Sequence, residues 1–76
     1  MNNAKRKELN KAMEMLEEAK SIIETVMDEE QDCFDNLSEG LQQTMRGQDM
    51  EEAVREMESA IDSIDDAIDA VENAAI

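Results

Sequence analysis

Apolar residues return along the second half of the chain at alternating steps of four and three: Met50, Val54, Met57, Ile61, Ile64, Ile68, Val71 and Ala75. That period keeps one stripe of an α-helix turned toward a single neighbour, so a long helix is predicted over about residues 49–75. A second column, Ala53, Ala60, Ala67 and Ala74, runs beside the stripe at seven-residue intervals. Alanine next to β-branched residues lets another helix approach at the short end of the usual range, about 8 Å between axes. Self-association is therefore expected through Ala53, Ala60, Ala67 and Ala74 together with Ile61, Ile64 and Ile68, giving a symmetric homodimer.

The first half has a similar period. Leu9, Leu16 and Ile23 form one column, Ala12, Ala19 and Val26 another, and Met13 and Met27 flank them. Cys33, Phe34 and Leu37 continue the stripe beyond the charged patch Asp28, Glu29 and Glu30. A helix over about residues 4–35 follows, its apolar face widened by Ile22, with Met15 outside the stripe and partly exposed. Asp35 and Asn36 favour a stop, Ser38 suits the start of a short helical turn, and Leu37, Leu41 and Met45 recur at intervals of four. Gly47 reads as a further break. Asp49, with Glu52 three residues on, reads as the cap of the second long helix. The predicted fold is all-α: one domain over residues 1–76, an antiparallel two-helix hairpin with a partly helical connection at 36–48, dimerising into a helical bundle.

Composition sharpens this picture in two ways. The chain has 76 residues, one aromatic, no proline and one cysteine, so neither an internal disulfide nor a zinc cluster can staple so small a core. Its 21 acidic and 7 basic residues give a net charge of −14, whose self-repulsion the apolar seam has to offset. Lys5, Arg6, Lys7 and Lys11 sit at the wrong end of the first helix for its macrodipole and are expected to face the carboxylates of Asp65–Glu72 in the hairpin. No apolar run is long enough to span a bilayer, and the basic, amphipathic start does not read as a secretion signal. A cytoplasmic location is expected, with no membrane partner and no direct binding of nucleic acid.

Candidate chemistry is sparse. With no histidine or tyrosine, one cysteine and no glycine-rich phosphate loop, an enzyme is not expected, nor is a cofactor. Asp28, Glu30, Asp32, Asn36 and Glu39 match several positions of a calcium-loop template, but Cys33 stands where the sharp turn needs glycine. Chance spacing in an acid-rich chain accounts for that match, and no metal site is predicted. The row Glu51, Glu58, Asp62, Asp65, Asp69 and Glu72 holds more interest. Spaced about 5 Å apart along a rigid helix, such carboxylates can present themselves to a protein groove that normally receives a nucleic-acid backbone. A solvent-facing helix is also charged for solubility alone, and the two readings stand side by side. Phe34, Leu37 and Leu41 in the connection are candidate apolar anchors for the same partner, with burial at the closed end of the hairpin the competing role for Phe34.

Four blocks resemble short acidic proteins of bacteriophages and mobile elements of gut and Gram-positive bacteria. They are Lys5-Arg6-Lys7-Glu8-Leu9, Leu16-Glu17-Glu18-Ala19-Lys20, the stretch from Glu29-Glu30-Gln31 through Phe34-Asp35-Asn36-Leu37 to Leu41-Gln42, and Met50-Glu51-Glu52-Ala53-Val54. The central block is the distinctive one. Proline stands in that group where this chain has Ser38, so a softer break is expected here. The resemblance implies a phage-type setting in which small acidic proteins bind and block a host protein; with the acidic row, an inhibitor or modulator of a host protein is expected, a nucleic-acid-binding or defence protein being the candidate class. It implies no catalytic residue. A structural or assembly role, as a helical accessory protein, is the alternative.

Overall fold

The computed structural model describes residues 1–76 and contains three helices: α1 (Asn3–Asp35), α2 (Glu39–Gln42) and α3 (Met45–Ala74). The two long helices pack against each other as an antiparallel hairpin, a rod measuring 58 × 15 × 12 Å, with α2 across its closed end. This is the all-α hairpin that the heptad stripes predict.

Each helix begins at a polar side chain that takes up an otherwise unpartnered backbone N–H. Asn2 caps α1, accepting from the Lys5 N–H at 2.8 Å. Ser38 caps α2, its hydroxyl accepting from the Leu41 N–H at 3.4 Å, as its position predicts. The start of α3 departs from expectation. Thr44 is the cap, accepting from the Gly47 N–H at 3.4 Å, and α3 begins at Met45. Asp49 therefore lies inside the helix, and Gly47 occupies its first turn instead of breaking it. The Asp49–Glu52 spacing is a genuine capping pattern, but one available a turn upstream won, because it lets α3 start directly against α2.

Gly47 explains how so tight a corner closes. It is buried, and a Cβ placed on it would overlap the main chain of Gln42. Close approach of two backbones, with no unusual φ, is what glycine supplies here. The end of α1 is held from the same corner. Asn36 terminates the helix with its N–H on the Asp32 carbonyl, and the Gln42 side-chain amide donates to the carbonyls of Phe34 and Leu37, each at 3.2 Å. The Phe34 carbonyl, which also accepts from the Leu37 N–H at 3.0 Å, and the Leu37 carbonyl thus gain a side-chain donor without a glycine in left-handed conformation.

The core lies along the α1–α3 seam and is thin. Val54 and Ile68 are its buried side chains, still 7% and 8% exposed, while Leu9, Leu16, Ile23, Met57, Ile61 and Ile64 are half-buried. A helix with one neighbour can bury only one stripe, so this follows from the two-helix count. Replacing Gly47 with Ala is expected to destabilise the hairpin by about 1–3 kcal/mol, because a backbone must move to admit the methyl group. Gly40 has open space around its Cβ position and lies within α2, so Gly40→Ala is expected to stabilise by about 0.5–1 kcal/mol. Urea melts of the two variants check the contrast.

Candidate interaction surface

The carboxylate row on α3 is divided by the hairpin register. Glu51, Glu58, Asp62, Asp69 and Glu72 are exposed along one side of the helix, whereas Asp65, the member nearest the seam, pairs with Lys20 of α1 at 2.7 Å. Asp65 is thus engaged within the chain, and the row open to a partner is the other five. Lys20–Asp65 is also the one ion pair in the structure.

This register relocates the expected charge complementarity. With residue 20 level with 65, Lys5, Arg6 and Lys7 fall level with the last residues of the chain and not with Asp65–Glu72. Arg6 accordingly donates to the Ile76 main-chain oxygen and to Asn3 Oδ1, both at 3.0 Å. Lys11 comes level with the Glu72 region but reaches no carboxylate. Counting cations and anions at the two ends ignored the offset set by the corner, where Gln42 and Gly47 fix how far α3 slides along α1.

The apolar candidates separate as well. Phe34 and Leu37 are half-buried at the closed end, and Leu41 is 53% exposed, so Leu41 alone of the three stands open to solvent. Of the residues expected to join two copies, Ile68 is buried and Ile61 and Ile64 are half-buried in the seam of a single hairpin. Ala53, Ala60 and Ala67 are half-buried and Ala74 is exposed. The isoleucines of that set are spent inside the chain. The large apolar residues left in solvent on the hairpin's flanks belong mostly to α1 instead, at Met15, Ile22 and Val26.

Asp28 and Asp32 share a face of the unbroken helix α1, one turn apart, but Glu30 between them points to nearly the opposite side, so the three calcium-template positions do not converge. Sequence reasoning missed Gln42 and Lys20. A glutamine in a short helix carries no signal for capping another helix. Lys20 is one cation among neighbouring acids until the register names its partner. Comparison of the chain with protein-family models, with curated proteins and with solved structures finds no match.

The Lys20 ammonium has its pKa raised above the ordinary lysine value, chiefly by its hydrogen bond to Asp65; partial burial works the other way, and the charges of Asp65, Glu24 and Glu17 add to the rise. A raised folded-state pKa means stability that is present below the unfolded lysine's pKa and is lost as pH climbs through the folded one. Lys20→Met is therefore expected to melt below the wild type at neutral pH, with the gap closing only in strongly alkaline buffer. Paired thermal melts across that range measure it.

Proposed function

We propose that the chain is a non-enzymatic binding protein whose partner is a protein with a basic groove, engaged by the exposed carboxylates of α3. The observation that carries this reading is the row Glu51, Glu58, Asp62, Asp69 and Glu72, exposed on one side of a rigid 30-residue helix and unpaired within the chain. Charges held at helical spacing steer a basic partner at long range and need no rearrangement to meet it. Leu41 and its neighbours at the closed end add an apolar contact of the kind that supplies affinity. The resemblance to short acidic proteins of phages and mobile elements supports a host protein as that partner, and the acidic row suits one that handles nucleic acid or takes part in defence, with the chain as its inhibitor or modulator in the host cytoplasm.

A structural or assembly role remains the second reading, and the exposed apolar residues of α1 favour it. Salt separates the two, since charge-driven binding weakens as ionic strength rises and packing-driven assembly does not. Glu58→Gln, Asp62→Asn and Asp69→Asn combined remove three exposed charges and spare both the seam and the Lys20–Asp65 pair. A host protein captured by the wild type is expected to bind this triple variant on the order of tenfold or more weakly, with a shallower salt dependence. Unchanged affinity and salt dependence would reduce the row to a solubilising surface.

A further inference from the structure

Helix α1 carries two apolar stripes, and the hairpin uses one of them. Leu9, Leu16, Ile23 and Phe34 belong to the stripe that α3 covers. The other is left in solvent: Met15 is 63% exposed, Ile22 60% and Val26 46%, and Cys33 is exposed too. At about 100° per residue these four positions share an arc of about 40°, roughly a quarter turn from the covered stripe. The column Ala53, Ala60 and Ala67 is rotated from the α3 seam in the same sense. Because the helices run antiparallel, both features lie on one side of the hairpin, and the acidic row lies on the other.

The rod-shaped hairpin leaves more surface open than a compact chain of its size, enough in total for an interface. A compact monomer of this mass, 8.6 kDa, exposes about 4,700 Å². This hairpin exposes 5597 Å². The surplus of about 900 Å² compares with the about 800 Å² that each side contributes to a standard stable interface.

The spacing within the exposed stripe suits a second copy of the same helix. Met15 and Cys33 stand nine residues either side of Glu24, and Ile22 and Val26 two residues either side of it. In an antiparallel pair of α1 helices centred on Glu24 each of these four residues therefore meets another member of the stripe, and none is left opposite a charge.

We propose that this face binds a second copy of the chain, α1 against α1 in antiparallel orientation, with the two-fold axis level with Glu24. Met15 then meets Cys33 of the second copy, and Ile22 meets its Val26. The alanine columns of the two α3 helices face each other beside them, where small side chains permit close approach. Four helices result, each long helix with two neighbours, and the acidic rows remain outward. Glu8, Glu18 and Glu29 lie in or beside the stripe, so salt strengthens this dimer by screening their repulsion, the opposite of its effect on a partner held by the acidic row.

A disulfide between positions 15 and 33 tests the register. Within one helix these residues are about 27 Å apart, far beyond disulfide reach, so a bond joining them has to connect two copies. Met15→Cys, oxidised in the presence of the native Cys33, is expected to yield a covalent dimer whose peptide map links position 15 to Cys33. A map linking like positions only, or no covalent dimer, overturns the arrangement. Ile22→Glu, at a site the hairpin does not bury, is expected to keep its helical circular dichroism and to raise the dimer dissociation constant on the order of 100-fold. Sedimentation of the wild type as a monomer at submillimolar concentration in high salt would overturn the proposal outright.

Discussion

Two helices can cover only one side of each other, and most of this structure follows from that limit. The seam from Leu9 to Phe34 on α1 and from Met50 to Val71 on α3 is the whole core, and even its best-covered members, Val54 and Ile68, keep some contact with water. A chain with a net charge of −14 must hold together along this one strip. Continuity of the strip therefore matters more than the burial of any single residue in it.

What aligns the strip is the corner between the helices. Gly47 brings the start of α3 onto the backbone of α2, and Gln42 returns two hydrogen bonds to the end of α1. These contacts set how far α3 slides along α1, and through that offset they choose the partners of residues far away. Lys20 meets Asp65 near the middle of the rod, and Arg6 meets the main chain of Ile76 at its open end. Local backbone geometry at one end thus decides electrostatics some tens of ångströms distant.

The two flanks of the hairpin differ in character. One carries the five open carboxylates of α3, and the other carries the unspent apolar residues of α1 beside the alanine column. A partner held by the first flank and one held by the second respond to ionic strength with opposite sign. The proposed host partner and the proposed second copy do not compete, because they occupy opposite sides.

The hairpin itself was legible from the amino acids. A 3-4 repeat of apolar residues specifies a helix and its buried side regardless of what lies opposite, and Asn36 and Ser38 mark the first stop and restart through bonds to their own neighbours. The carboxylates of α3 could be assigned to one face for the same reason. Tertiary structure decided whatever depends on how the helices sit against each other. It moved the start of α3 from Asp49 to Met45, drew Asp65 out of the row to Lys20, consumed Ile61, Ile64 and Ile68 inside the hairpin, and left Ile22 and Val26 in solvent. Periodicity shows which side of a helix is apolar. How much of that side a neighbour covers depends on the register and on the number of helices, which no single segment encodes.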